Sequence, residues 1–564
     1  MKIFVGCLLI SSQLFLCGAL HAQPNSDPDE SVAIEDSGSG EDEIRISDDD
    51  EGIKIGDEDE IKIGGEEPPA PEVEEAPPRV RYGGYLYDRF SMDMLHEGKG
   101  EDVFDNRFRA NLYTTISFPA GARIFIEGDL RHFVVGETSR EPPWYLFNSR
   151  NVKARHELEL GEAYVYLPNR FLNLRVGNQI MRWGSGVFNK PTDVLNPTDM
   201  REGLVNDLEA PLVPVPMVHL DRDLGPVNIA GVWIPFFVQN KVNLLGQDWS
   251  ALGGFAAHPG LPGAAAMGAM AGQMQGLLHP TIEDRMQPLL LASDPPPDDL
   301  TGSQLGVRMQ TRVLGADVGL QYFWGWDKFP ITKINQQAFE LLSMTSGLDK
   351  NSPDYGKTLL EMMGTVEGLL FNDDGTSKSL TMNDLFRSHY ERQHVVGGDL
   401  AAVLFNKVTL TLNGAWSPER TLYLASDAGM PAPVRKQAFS YAVGLEYHKG
   451  AWFDVMLEWY QFHVLGLDDG EELFLIDDQL SMVTAAVIVR FLEFDAMELR
   501  LSGMYEVSMR NWFFFPRLSY KFTQDLRAGA GVMMQGVLPG GNQAGPAGLF
   551  DQNDSAYLDL KWTF

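Results

Sequence analysis

Charged side chains in this chain recur at every second position of long runs, and that spacing decides what chemistry is open to them. Arg107 and Arg109 share a parity with Asn111, and Glu127, Asp129 and Arg131 share one in the next run. Glu157, Glu159 and Arg175 follow, and Arg308 and Arg312 alternate with Leu305, Val307 and Met309. Glu498 and Arg500 alternate with Leu499 and Leu501, and Arg517 lies in the run after them. Successive side chains of a strand point to opposite faces, so each run sets its charges on one face and its apolar residues on the other. Facing an interior, such charges either pair across strands and solvate it, or stand as opposed arginine and carboxylate ladders that orient polar solutes. These thirteen charged residues are the candidate lumen and constriction groups.

Local signatures of catalysis are missing. No H-E-x-x-H, G-x-S-x-G or phosphate-binding loop occurs, and the 11 histidines are scattered, with His389 and His394 five apart. A hydrolase assembled from Asp and His of different strands leaves no local motif and stands as a minor alternative to a non-enzymatic protein. Both cysteines, Cys7 and Cys17, fall in the first 22 residues. Thiolate catalysis, disulfides and Cys-ligated metals are therefore excluded from the remainder. The acidic runs Asp48–Glu51 and Asp57–Glu60 lack the glycine and ligand spacing of a calcium loop. No cofactor or metal is expected, and a formal charge of −33 disfavours nucleic acid as a partner.

Three segments position these groups. Residues 1–22 carry Lys2, an apolar run and a small-residue end at His21-Ala22, and read as a secretory signal peptide. Residues 23–78 hold 21 acidic residues against three basic ones, too polar to offset the entropy of ordering. Their repeated Ile-Arg/Lys-Ile pieces leave two readings, a solvated spacer or a segment that adds strands to a periplasmic partner's sheet edge. Residues 79–564 alternate in runs of about 10–13 residues, the length of a tilted membrane strand rather than of a sandwich strand. No apolar stretch is long enough for a spanning helix.

The expected fold is all-β: a transmembrane antiparallel up-and-down barrel of about 18 strands, with 16 as the alternative count. The first strand lies near 80–91, the fifth near 171–182, the seventh near 227–238 and the last at 555–564. Links after even-numbered strands are short and those after odd-numbered strands mostly long, which puts short turns and both barrel ends on the periplasmic side of an outer membrane. Long loops include the Ala-, Gly- and Met-rich stretch 252–278, and helical signals at 336–344 and 357–370. They read as an external cap or as a plug with a greasy entry site for an amphipathic solute.

The closing run Ser555–Phe564, with Leu558, Leu560, Trp562 and Phe564 on one parity, resembles the last strand and assembly signal of bacterial outer-membrane barrels. The stretch Gly177, Gln179, Trp183 and Gly184, followed by Asn196, Pro197 and Asp199, resembles a motif of porin-like proteobacterial outer-membrane proteins. In that family a strand of the form G-[RK]-Q-x-x-x-W-G leads into a loop with N-P-x-D; here Asn178 replaces the basic residue and Gly184-Ser185-Gly186 an acidic follow-on. Alginate-export barrels are more distantly similar. The resemblance implies a passive channel for small, hydrophobic or amphipathic solutes, in contact with outer-membrane lipid and lipopolysaccharide and delivered by the barrel-assembly machinery. The alternative function is a scaffold whose acidic segment recruits partners. Trp183 and Gly184 suit a strand leaving the membrane, an aromatic anchor followed by a bend. The loop after them folds either inward as a constriction or outward as a cap.

Overall fold

The computed structural model describes residues 77–94, 102–137, 152–201, 212–242, 294–334, 357, 361, 386–424, 432–473, 476–543, 545–551 and 553–564. The signal peptide, nearly all of the acidic segment, stretch 252–278 and the helical signal at 336–344 lie outside them. Of 357–370 only Lys357 and Glu361 are described, both helical.

Eighteen strands close into one antiparallel barrel. The first nine are β1 (Arg79–Asp93), β2 (Asp102–Ser117), β3 (Arg123–Glu137), β4 (Val152–Leu167), β5 (Asn173–Gln179), β6 (Val215–Leu224), β7 (Val227–Ile234), β8 (Gln304–Val313) and β9 (Ala316–Trp326). A separate ribbon pairs β10 (Ile331–Ile334) with β11 (Phe386–His389). The wall resumes with β12 (Arg392–Leu404), β13 (Val408–Leu424), β14 (Ala432–Lys449), β15 (Phe453–Leu465) and β16 (Gln479–Phe491). It ends with β17 (Met497–Glu506), β18 (Asn511–Lys521), β19 (Leu526–Val537) and β20 (Ser555–Thr563). Each barrel strand pairs with its sequence neighbours, β9 with β12, and β1 with β20 from Tyr85↔Thr563 to Asp93↔Ser555. Phe564 completes the seam by exchanging backbone hydrogen bonds with Gly84, both 3.0 Å. Closure removes the unpaired strand edges that an open sheet of this size would expose.

Alternation sorts the two faces. Leu112, Leu158, Leu160, Val307, Leu320, Leu457 and Leu560 are exposed on the outside, while Asn111, Asp129, Arg308, Asn413 and Asp559 are buried within. At one end every connection is a short turn, and Phe118, Phe171, Phe405, Trp452, Phe494 and Phe522 sit exposed in six of them. Trp562 and Phe564 are exposed at the same end, their rings 5.3 Å apart. An apolar belt bounded by aromatics is the surface that a lipid bilayer solvates best. The two-residue hairpin at Leu314–Gly315 holds both residues at positive φ (53° and 84°), as the twist of its strands demands. The other end carries all the long connections.

Two strands stop short of their sequence-based limits. β5 ends at Gln179 because side chains take the next backbone donors: Ile180 N–H donates to Glu162 Oε1 (2.7 Å) and Met181 N–H to Asn196 Oδ1 (2.8 Å). β7 ends at Ile234 because Pro235, which follows, has no N–H for the ladder.

Candidate functional site

The segment 180–200, between β5 and β6, leaves the wall at mid-height and runs inward across the lumen. It carries no regular secondary structure beyond isolated bridges at Thr198 and Asp199, yet Trp183, Val187, Phe188, Asn189, Thr192, Leu195 and Asn196 are all buried. We call it the crossbar. The expectation of an interfacial Trp183 is corrected: its ring packs with Leu195, Val215, Met217, Val232, Phe323 and Val395 inside the barrel, only 3% exposed. Gly306, inward-facing on β8, makes the room, since a Cβ there would lie 2.6 Å from the Trp183 ring. Burial of an indole between strands outweighs its interfacial preference because the inward turn at Gly184 (φ +109°) aims the chain at the opposite wall.

At its root the crossbar is tied to β5 and to the residues just before β6 by one amide. Asn196 Nδ2 donates to Gln179 O (2.9 Å) and Val213 O (3.0 Å), while its Oδ1 accepts from Met181. Gln179 Nε2 donates to Met217 O at 2.9 Å, and Pro197 O accepts the Val213 N–H at 2.7 Å. Gly177, at φ +140°, lies so close to the β4 backbone that a side chain has no room.

Ions bind the root to the neighbouring wall. Arg109 grips Asp129 through Nε (2.9 Å) and Nη2 (2.5 Å), and Asn111 donates to the same carboxylate at 3.0 Å. Arg131 lies 3.7 Å from Asp129 and Glu159 and 3.0 Å from Asp199. Arg201 donates to Asp199 at 2.9 and 2.7 Å and to Glu157 at 2.7 Å, and Lys241 bonds Glu159. Four cations here meet four carboxylates, so the cluster is neutral and its charges pair across strands. Burial alone would raise the Asp199 carboxyl, but the hydrogen bonds and charge of Arg201, with Arg131 and Lys241, hold it well below the usual range.

At its tip the crossbar meets a single carboxylate. Glu458 of β15, 1% exposed, accepts from the backbone N–H of Val187 (2.9 Å), Phe188 (3.0 Å) and Asn189 (2.7 Å) and from Asn189 Nδ2 (2.7 Å). Val187 and Phe188 pack on Met456, Ala486 and Ile488 around it. Between root and tip, Thr192 N–H and Oγ1 approach Asn413 Oδ1 (3.3 and 3.0 Å), and Gln321 Nε2 donates to Thr192 O at 2.5 Å. Arg308 fixes Gln321 (2.5 Å) and pairs with Asp399 at 2.8 Å.

The remaining candidate residues lie away from the crossbar. Glu127 accepts from Asn111 (2.5 Å) and from Glu162 N–H (3.2 Å), and Arg107 pairs with Asp105 at 2.8 Å. Arg175 stacks on Tyr164, 4.9 Å from the ring centre. Glu498 lies between Arg490 (3.1 Å) and Arg500 (3.8 Å), and Arg517 pairs with Asp559 at 2.7 Å, both in the turn-end half. Arg312 stands at the turn-end mouth, 70% exposed and paired with Asp317. Sequence reasoning missed Glu458, Asn413, Gln321, Asn189, Arg201 and Lys241. Glu458 left one signal, an acid on the inward parity between Met456 and Tyr460. Among the described residues no group of three His, Asp or Glu side chains is placed to hold a metal ion.

The model of the family described as protein of unknown function (DUF1302) matches residues 132–493. No curated protein matches the chain. Among solved structures the barrel is similar to OccAB1 of Acinetobacter baumannii, at 9% identity and a TM-score of 0.43, covering 86% of this chain and 96% of that one. It is similar to OccAB3 of the same organism, at 8% identity and 0.40, covering 86% and 99%. A mutant of the Rh. blastica porin aligns at 10% identity and 0.32, covering 86% and 100%.

Proposed function

The chain belongs to the family described as protein of unknown function (DUF1302), and we propose that it is an outer-membrane, porin-like channel for small hydrophobic or amphipathic solutes. The observation that carries this reading is the crossbar: a segment threaded through the middle of a closed barrel and fastened on two sides. A barrel that served only as an anchor would gain nothing from spending so many buried hydrogen bonds on narrowing its own lumen. The apolar belt supports a lipid setting, with lipid and lipopolysaccharide as outer contacts and the barrel-assembly machinery as its route there. In this reading the short turns and both barrel ends face the periplasm and the long connections face outward. The acidic segment 23–78 then lies on the periplasmic side, placed to meet a partner.

Passage is passive, by diffusion past a fixed obstruction, and the described side chains hold and orient rather than react. The test is the conductance of the folded protein in a planar bilayer, paired with swelling of proteoliposomes in sugars of graded size. Steady ohmic steps and a size cut-off are expected. Silence from protein whose heat-modifiable mobility proves it folded would overturn the channel and favour a sealed barrel acting as a scaffold.

A further inference from the structure

The turn-end half of the lumen carries a second group of charges, and this one is not neutral. Arg490 of β16, Arg500 of β17, Arg517 and Lys521 of β18, Arg527 of β19 and Lys561 of β20 all lie on the inward parity, against the carboxylates Asp454, Glu498 and Asp559. Six cations less three carboxylates leave an excess of three positive charges on one stretch of wall. The carboxylates are already engaged: Arg490 lies 2.6 Å from Asp454 and 3.1 Å from Glu498, and Arg517 lies 2.7 Å from Asp559. Lys521 and Arg527 form no ion pair among the described residues, and neither do Glu493, Asp495 and Asp525 in the adjoining turns.

Register sets these cations against one another. Arg500 is the cross-strand partner of Arg517, Lys521 of Arg527, and Arg527 of Lys561. Like charges directly opposite on a sheet repel, and here they do so three times on four neighbouring strands. An anionic chain laid along the row Lys521, Arg527 and Lys561 would remove that repulsion. Such a chain is attached nearby. β1 pairs with β20, Tyr87 opposite Lys561, and it starts at the turn end, Arg79 opposite Ser117. The 56 residues 23–78, 21 acidic and three basic, join the wall there, where Arg79 and Arg81 are exposed. From Arg79 to Tyr87 the strand climbs about 26 Å at about 3.3 Å per residue. A random coil as long as the acidic segment spans about 40 Å, which puts the row within its reach. Tethering also gives the segment an effective concentration on the order of millimolar, an advantage that no free anion has.

We propose that residues 23–78 dock, through the acidic runs Asp48–Glu51 and Asp57–Glu60, on the cationic row Lys521, Arg527 and Lys561 of their own barrel. The barrel is then the segment's first partner, and any other partner has to displace it. This docking goes beyond the channel reading and needs no current to be measured. The test is carbodiimide coupling of carboxylates to lysines in the full chain, folded in nanodiscs, with the linked peptides identified by mass spectrometry. Lys407 and Lys449, exposed at two other turns of the same end, are internal controls. Links from residues 48–60 to Lys521 and Lys561 are expected at least about tenfold above links to Lys407 and Lys449, and at about 0.5 M salt they should be largely lost to screening. R500Q/R527Q leaves both lysines in place and should lower their yield about threefold or more by weakening the local field. Equal yields at the four lysines, or an unaltered yield in R500Q/R527Q of native heat-modifiable mobility, overturns the docking. Mixing chains of two isotopic compositions checks that donor and acceptor belong together: links between unlike chains would assign the segment to a second copy and overturn docking within one barrel. A silent barrel that still couples selectively sinks the channel reading alone, and a conducting barrel whose four lysines couple alike sinks the docking alone.

Discussion

The two ends of the crossbar are fastened by opposite strategies. The root is held by many partners, none more than 82 positions apart in sequence: Asn196 reaches Gln179, Met181 and Val213, and Asp199, Arg131, Arg201, Glu157, Glu159 and Lys241 share charge among them. The tip is held by one residue, Glu458, about 270 positions away, in a pocket of apolar neighbours. A distributed network loses one member at modest cost because the others re-pair. A single buried carboxylate with four donors cannot, because each donor left behind in a dry pocket bears its own desolvation penalty. The tip is therefore the fastening that one substitution can release, and the root is not.

Breaking the tip should therefore have the largest effect. Glu458→Ala strands three backbone N–H groups and one amide, on the order of 5 kcal/mol if each costs about 1–3. Larger, noisy single-channel currents are expected; an unchanged conductance in folded protein would show that the tip does not obstruct the pore. Glu458→Gln keeps one acceptor oxygen and should fall between the alanine variant and the native protein. Phe188→Ala removes the apolar half of the same fastening, about 3–5 kcal/mol for a buried ring, and should raise current noise more than mean conductance. At the root, Asn196→Ala removes three hydrogen bonds worth about 1 kcal/mol each and should change conductance less than either tip variant. A root substitution with effects as large as Glu458→Ala would erase the contrast.

Acidity offers the finest test. A carboxyl whose folded pKa is depressed contributes stability that is complete above its unfolded value and is lost as pH falls through the folded one. Asp199 is depressed, so its pairs with Arg131 and Arg201 stay charged throughout the range from pH 8 to 5. Conductance fluctuations in Asp199→Asn and in the native protein should then differ by a small, constant amount over that range. A difference that grows between pH 8 and 5 would mean that the root titrates.

The barrel was legible from the sequence because a membrane strand leaves a signal in each residue. Leu112, Leu130 and Leu158 meet lipid and their neighbours Asn111, Asp129 and Glu157 meet the lumen, and parity alone sorts them. Short turns such as Leu314–Gly315 and Phe405–Asn406 are equally local, which is why about 18 strands could be counted from the sequence.

The crossbar shows the limit of such reading. Its motif residues Trp183, Gly184, Asn196 and Asp199 marked a loop, but an interfacial anchor and an inward segment have the same local composition. The choice between them was made by contacts between residues as many as 271 positions apart: Trp183 against Gly306, Thr192 against Asn413 and Val187 against Glu458. Each depends on which strand stands opposite β5 once the ring has closed. Pairing of the charged ladders was decided in the same way, since parity puts Arg131 and Asp129 on the inner face, while only the incoming crossbar supplies Asp199 and Arg201. Alternation is a property of each strand by itself and so is written in the sequence. What crosses the lumen is a property of the closed ring, because closure alone brings distant inner faces within hydrogen-bonding distance of one loop.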